Sequence, residues 1–313
     1  MDKLNYIIKR LLQMIPVIFI VTVLIFILIR LIPGDPASIM LGTKVKPEVL
    51  EAYRIKMGYY EPYWKQFLNF FLNLLRFDLG DSIHFHMPVT DLIKSRLGVT
   101  VWFTIVSTVM TVIISIPLGY IAGIKKDKPV DQGIRSFALL GLSLPSFWVG
   151  LMLLLVFGVE LKLFPVSGWG EGFFGHFKSL ILPSLTMAIA TSAVIIRNTR
   201  NNVVDVKNQI YVDFAKAKGV SPFRVSTMHI IRNALIPTVT LLGMRIGYML
   251  GGSVIIESIF ALPGIGELLI SSVLRRDYAV VQGVVITFVV IIMFVNLITD
   301  ILYSIIDPRI RMK

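Results

Sequence analysis

Between two long apolar stretches, residues 211–224 of the chain read YVDFAKAKGVSPFR. The segment is basic and has a helical pattern, with Gly219 at the place of a helix C-cap. Ser221 and Pro222 follow as the N-cap and the first residue of another helix. A connector between two membrane spans needs only a few polar residues. An ordered helix at this point therefore predicts a surface that something else contacts.

The helix predicted in this segment carries one apolar stripe. If it begins near Val206, then Ile210, Phe214 and Ala217 follow at spacings of three to four residues and share a face. Two interpretations of the stripe stay open. One is a helix that lies on the lipid headgroups, and the other is a docking helix for a soluble partner.

The composition identifies the class of protein. Of the 313 residues, 55% are hydrophobic and only 16% are charged, whereas a soluble domain has about 25% charged residues. The apolar residues form long blocks, which predicts an all-α polytopic membrane protein. The net charge is +12, and the basic residues lie beside the apolar blocks, as in membrane proteins, so they indicate no nucleic-acid partner. Because cysteine is absent, disulfides and thiolate metal sites are excluded.

Six segments are long enough to cross the hydrocarbon layer of a membrane, which requires about 20 apolar residues. The predicted spans are 8–31, 99–124, 134–161, 180–196, 234–257 and 282–306. The short connections on one side of these spans carry 17 Lys and Arg residues, and those on the other side carry 4. The positive-inside rule therefore places both termini in the cytoplasm.

The spans divide the chain into three parts. Residues 1–32 hold the N-terminus and the first span, and residues 33–98 form an extracytoplasmic cap that is rich in aromatic residues. Residues 99–313 form a core of five further spans, with a cytoplasmic loop at 197–233. Within the cap, residues 62–71 predict an amphipathic helix.

The fifth span carries Gly243, Gly247 and Gly251, which repeat at a spacing of four residues. Glycines at this spacing leave one helix face without side chains, so another helix can approach closely. The partner helix is either another span of the same chain or a helix of a second membrane subunit, in which case the crossing lies at a pathway or a subunit seam.

A charge also lies within the fifth span, at Arg245, and the sixth span has a polar stripe. A charge at this depth is costly unless it is paired or hydrated. We expect Arg245 to pair with Asp300 or to line a pore, where its charge would attract a carboxylate. The members of the polar stripe are Asn296, Asp300, Tyr303 and Asp307.

The sequence gives little indication of a metal site or a nucleotide site. His84 and His86 share one face of an extended segment, and with Met87 they raise the possibility of a nickel or copper site, but Met87 would point the other way. The phosphate-binding pattern Gly-x-x-x-x-Gly-Lys-Ser/Thr does not occur. We therefore expect no metal, no cofactor and no catalytic residues in this chain.

Several stretches together resemble one family. Residues 213–219 are similar to the cytoplasmic Glu-Ala-Ala…Gly loop of ABC importer permeases, with Asp213 in place of the Glu and Phe214 in place of the first Ala. The longer spacing to Ile236-Pro237 resembles the peptide/nickel subfamily, which transports dipeptides and oligopeptides. Further resemblance is found at residues 30–36, 144–148, 163–168, 263–266, 276–278 and 307–311.

The resemblance implies a type I ABC importer permease in the cytoplasmic membrane of a bacterium or archaeon. The loop would then be a coupling helix, and its expected contact residues are Tyr211, Asp213, Ala215, Ala217 and Gly219. The implied partners are a second homologous permease, two cytoplasmic ATPase subunits, an extracytoplasmic substrate-binding protein and membrane lipid. A permease for nickel or a metal chelate is the alternative within the family. A secondary transporter or channel is the alternative from another class.

Overall fold

The computed structural model describes residues 3–31, 45–56 and 58–306. Within these ranges the chain is almost entirely helical, and no strand forms. The helices are α1 (Lys3–Leu31), α2 (Pro47–Lys56), α3 (Tyr63–Leu75), α4 (Val89–Ile124), α5 (Pro129–Ser143), α6 (Ser146–Leu153), α7 (Gly172–Lys207), α8 (Ile210–Ala217), α9 (Pro222–Arg224), α10 (Arg232–Ile259), α11 (Ile265–Leu274) and α12 (Tyr278–Ile306). Two π-helical segments, Leu154–Glu160 and Val225–Ile231, continue α6 and α9.

The all-helical membrane architecture predicted from the sequence is confirmed. Within the described residues, 5 helices are long and apolar enough to cross a membrane. They are α1, α4, α7, α12 and the stretch Pro222–Ile259, which contains α10. A sixth span is present if α5 and α6 cross as one bent pair.

The third predicted span, residues 134–161, is not one straight helix. The helix ends at Ser143, and the segment after it is turned by 102°. Pro145 is the physical cause, because it supplies no N–H and excludes the residue before it from the helical region. Leu144 is accordingly extended, with φ −87° and ψ 132°, and a new helix begins at Ser146.

One compact unit comprises Val99–Pro263 and the chain from Ile292 onward. Its centre is α7, because 72% of the most apolar 18-residue stretch of α7 is buried, compared with 28% of the corresponding stretch of α12. Phe103, Leu182 and Ile256 come from α4, α7 and α10 and form part of one buried apolar cluster. The Thr100 hydroxyl also donates to the fully buried Glu257 carboxylate at 2.8 Å, which ties α4 to α10.

The second compact unit comprises Asp2–Gly98 and Gly264–Ile291. The predicted amphipathic helix is present as α3, and its Phe67 ring packs edge-on against Phe26 of α1 at 5.2 Å. The buried Asp277 carboxylate accepts a 2.6 Å hydrogen bond from the Ser82 hydroxyl. His84 Nε2 lies 2.9 Å from the Arg275 carbonyl oxygen, so this ring nitrogen is the donor of that bond. The predicted cap residues 33–44 lie outside the described residues.

Candidate functional site

The helix at the centre of the predicted cytoplasmic loop is α8. It begins at Ile210, and the predicted start near Val206 is wrong because Val206 still belongs to α7, which runs to Lys207. The break has a local cause: Gln209 is extended, with φ −80° and ψ 140°, so the backbone leaves the helical region for one residue before α8 starts. α8 is therefore a separate short helix.

Gly219 ends α8 as the sequence predicts. Its φ is +78°, in the left-handed region that glycine enters without strain. The Gly219 N–H donates to the Lys216 carbonyl at 2.9 Å, and the Val220 N–H donates to the Ala215 carbonyl at 3.1 Å. These two bonds are the Schellman pattern. The chain turns sharply and starts again with Pro222 as the first residue of α9, which confirms the predicted restart.

One face of α8 is buried in the cytoplasmic end of the first compact unit. Val212 is 0% exposed and Ala215 is 6% exposed. They pack in one apolar cluster with residues of α4, α7, α10 and the π-helical segment that precedes α10. The other members of this cluster are Val203, Val225, Ile230 and Ala234, with Tyr120, Ile124, Val206 and Val220 at its edge. α8 is therefore fixed to three spans at once.

Hydrogen bonds strengthen this attachment. The Tyr211 hydroxyl donates to the His229 carbonyl at 3.3 Å and accepts from the Asn233 side-chain amide at 3.0 Å. The Lys207 ammonium donates to the Ile124 carbonyl at 3.0 Å, which joins the end of α7 to the end of α4. Such links hold α8 in one orientation relative to the spans.

The opposite face of α8 is exposed and apolar. Ile210 is 74% exposed and Phe214 is 63% exposed, so the predicted stripe faces away from the chain. Asp213 and Lys216 flank it and form an ion pair of 2.8 Å. We call this exposed face, formed by Ile210, Asp213, Phe214 and Ala217, the docking face. An apolar strip of this kind with a charged edge is suited to contact with another protein or with lipid.

The five predicted contact residues are divided between the two sides of the helix. Asp213, Ala217 and Gly219 are exposed, and Tyr211 is partly engaged in the hydrogen bonds just described. Ala215 is buried against the chain's own core, so its side chain cannot contact a partner. Phe214, which the sequence placed only in the apolar stripe, is the largest side chain of the docking face and is 63% exposed.

The glycine face of α10 packs against α12 of the same chain. A Cβ at Gly243 would lie 1.8 Å from Cγ2 of Thr299, and one at Gly247 would lie 3.4 Å from Oδ1 of Asn296. At Gly251 no atom lies within 4 Å of such a Cβ. The first two glycines therefore form a close helix crossing within the chain, and the third is on an open surface.

Two family profiles together match nearly the whole sequence. Residues 3–104 match the N-terminal region of binding-protein-dependent transport system membrane components. Residues 115–312 match the binding-protein-dependent transport system inner membrane component. The chain belongs to this family of inner membrane permeases. It is thus the permease subunit of an ABC importer and a multi-pass protein of the inner membrane, and the resemblance noted in the sequence is confirmed.

Individual relatives agree with this assignment. The permease is 41% identical over 310 residues to the glutathione transport system permease protein GsiC of Escherichia coli strain K12, across 99% of this chain and 100% of that protein. The same identity and coverage hold for GsiC of Shigella flexneri serotype 5b. Inward-facing structures of the MetNI methionine ABC transporter superpose with a TM-score of 0.59 at 13% identity, over 69% of this chain and 96% of that one. At that identity the likeness shows the fold alone.

The charged residue inside the fifth span of the permease is Arg245, and its pairing with Asp300 stays a prediction. The Arg245 guanidinium lies 5.6 Å from the centre of the Tyr248 ring, which is itself exposed. Asn296 faces Gly247 at the helix crossing. Of the remaining polar stripe, the Tyr303 side chain and Asp307 lie outside the described residues.

Sequence reasoning missed one close approach that supports the site. Gly119 and Gly123 of α4 repeat the same four-residue spacing as the glycines of α10. A Cβ at these positions would lie 2.7 Å from Cβ of Thr199 and 2.6 Å from Cβ of Val203, both on α7. The Gly-x-x-x-Gly spacing was the available signal. The close approach of α4 and α7 lies directly beside the apolar cluster that holds α8, since Val203 belongs to both.

Proposed function

We propose that this permease forms part of the translocation pathway of an ATP-driven importer for dipeptides and oligopeptides. In this proposal α8 is the coupling helix, and partner ATPases drive alternating access through it. The observation that carries the proposal is the two-sided character of α8. One face is locked into three spans, while the docking face remains apolar and exposed.

The packing of α8 explains how movement would be transmitted. Protein interiors are close-packed, so a push on one member of a buried cluster displaces its neighbours. Val212 and Ala215 lie in the same cluster as Val203 of α7 and Ala234 of α10. The π-helical segment Val225–Ile231 follows directly after α9. Because a π-helical segment often marks a functional site within a helix, we propose that the helix changes its conformation at this segment when α8 moves.

Partners are required because the sequence has no phosphate-binding loop. ATP is therefore hydrolysed by separate cytoplasmic subunits, and we propose two of them, one beneath each permease. A second homologous permease completes the pathway, and an extracytoplasmic binding protein delivers the cargo. Lipid surrounds the exposed apolar surfaces of the spans.

The proposed cargo class rests on the relatives. The permeases that are 41% identical are named for glutathione transport, and glutathione is a tripeptide. A peptide importer is therefore favoured over a nickel importer. His84, one of the two histidines considered for a metal, already uses its Nε2 in the bond to the Arg275 carbonyl.

Uptake by the assembled importer tests the cargo and the energy source together. We expect vesicles that contain the permease, its ATPases and its binding protein to accumulate labelled glutathione or dipeptide when ATP is hydrolysed. A non-hydrolysable ATP analogue is the control and should give no accumulation. Uptake of a nickel chelate but of no peptide would support the metal alternative. Full-rate peptide transport by the chain alone, without ATP, would establish a secondary transporter or channel.

Gly219→Val tests the end of the coupling helix. Nothing lies within 4 Å of a Cβ at Gly219, so any defect would arise from its φ of +78° alone. Left-handed backbone costs a non-glycine residue about 1–2 kcal/mol, and a β-branched residue more. We expect the variant to insert normally and to lose most substrate-stimulated ATP hydrolysis in the assembled importer. Gly219→Asn is the matched control, since Asn tolerates this conformation. Normal coupling in the Val variant would contradict the assignment.

A further inference from the structure

A cavity with a basic rim lies beside α5 and α7 in the first compact unit. Its volume is 510 Å³, and its cationic lining consists of Lys126, Arg135, Arg197 and Arg200. Asp127 is the acidic residue in the lining. We call it the basic cavity. None of its residues belongs to the coupling helix or to the close crossing of α10 and α12, so the proposed function leaves the basic cavity unexplained.

A buried ion pair builds one wall of the basic cavity. Asp131 of α5 is 0% exposed and accepts hydrogen bonds from Arg200 of α7, at 3.2 Å from Nε and 2.7 Å from Nη2. The Asp127 N–H adds a further bond to the same carboxylate at 2.9 Å. This fork holds α5 against α7, so the cavity is preformed.

The other cations of the rim are available to a ligand. Lys126, Arg135 and Arg197 are exposed, and none of them forms an ion pair with the residues that the structure describes. Three exposed cations around one cavity attract an anion, and arginine is especially suited to phosphate because its planar fork matches the phosphate oxygens.

The rest of the cavity lining bears on which anion binds. It is mostly apolar and includes Ala138, Leu139, Leu142 and Ile196. Leu139 is 58% exposed and Leu142 is 45% exposed, so both side chains are accessible to a ligand in the cavity. A soluble phosphate would contact only the rim. A phospholipid would place its phosphate on the rim and an acyl chain along the leucines.

The position along the chain agrees with a lipid. Lys126 lies in the connection between α4 and α5, and the other basic residues lie in α5 and α7. The positive-inside rule places this basic end of the spans in the cytoplasm, at the level of the inner leaflet. Basic pockets between membrane helices on that side are suited to anionic headgroups. We propose that the basic cavity binds the phosphate headgroup of an anionic phospholipid from the inner leaflet.

Lipid retention by the purified chain tests this site. Native mass spectrometry would compare phosphatidylglycerol with phosphatidylcholine of the same acyl chains. We expect phosphatidylglycerol to bind more tightly, and Arg135→Gln with Arg197→Gln to weaken it about thirtyfold, since each cation near a membrane surface contributes about 1 kcal/mol. The matched control is Lys125→Gln with Lys128→Gln. It removes two charges from the connection between α4 and α5, at positions that do not line the cavity, and should have little effect.

A second variant separates lipid from soluble phosphate. Leu142→Asn should weaken phosphatidylglycerol binding, whereas a site for inorganic phosphate would be unaffected by it. Equal retention of the two lipids would overturn the proposal. An equal loss in the control pair would do the same, because it would show a general effect of surface charge. Displacement of the lipid from the cavity by excess inorganic phosphate would identify a soluble-anion site instead.

Discussion

Phe214→Asp is expected to abolish substrate-stimulated ATP hydrolysis in the assembled importer while the chain itself remains folded. Phe214 is 63% exposed and projects from the docking face, so its removal leaves the core around Val212 and Ala215 intact. A buried aromatic anchor at a protein interface is typically worth about 2 kcal/mol or more, which is roughly thirtyfold in affinity. A carboxylate in the same apolar contact adds a desolvation cost.

The measurement is ATP hydrolysis with and without binding protein and peptide, together with the thermal unfolding of the permease alone. Phe214→Leu is the matched control, since it keeps an apolar side chain and should retain most of the stimulation. If α8 only lay on lipid headgroups, Phe214→Asp would weaken membrane contact but leave the stimulation unchanged. That result would remove α8 from the coupling mechanism.

Gly243→Ala is expected to destabilise the permease strongly by forcing α10 and α12 apart. The new Cβ would lie 1.8 Å from Cγ2 and 2.7 Å from Cβ of Thr299. Thr299 is β-branched, and its hydroxyl donates to the Val295 carbonyl at 2.8 Å, so its rotamer is held. Overpacking in a tight interior costs about 1–3 kcal/mol, and we expect the upper end of that range here.

Thermal unfolding of the purified variants measures this effect. Gly251→Ala is the matched control in the same helix, because no atom lies within 4 Å of its Cβ. Thr299→Ala should recover part of the lost stability when combined with Gly243→Ala, since residues in contact are energetically coupled. Equal stability of the Gly243 and Gly251 variants would show that the close crossing does not exist.

The sequence was a reliable guide to what depends on neighbouring residues. The apolar blocks predicted the spans because a membrane helix satisfies its own backbone hydrogen bonds within one segment. Gly219 predicted the end of α8 for a similar reason, since a left-handed residue is a local requirement. The break at Pro145 has a local signal too, the proline itself, but the sequence does not give the size of the 102° turn.

The sequence did not indicate that α8 has a second face buried in the chain's own core. The stripe of Ile210, Phe214 and Ala217 is exposed, as expected for a helix that contacts lipid or a partner, whereas Val212 and Ala215 are buried. Periodicity identifies an apolar face, but it does not tell which surface covers that face. The missed approach of Gly119 and Gly123 to α7 has the same origin, because their contact residues, Thr199 and Val203, are each 80 residues further along the chain.

The amino-acid sequence by itself determined the membrane class, the helical spans, the family and the position of the cytoplasmic helix. These depend on hydrophobicity, backbone chemistry and short motifs, all of which act over a few neighbouring residues. Only the tertiary structure decided the partner of Asp131 and the exposure of Phe214. Such features arise where distant segments pack, and their energies depend on burial and geometry that no single segment contains.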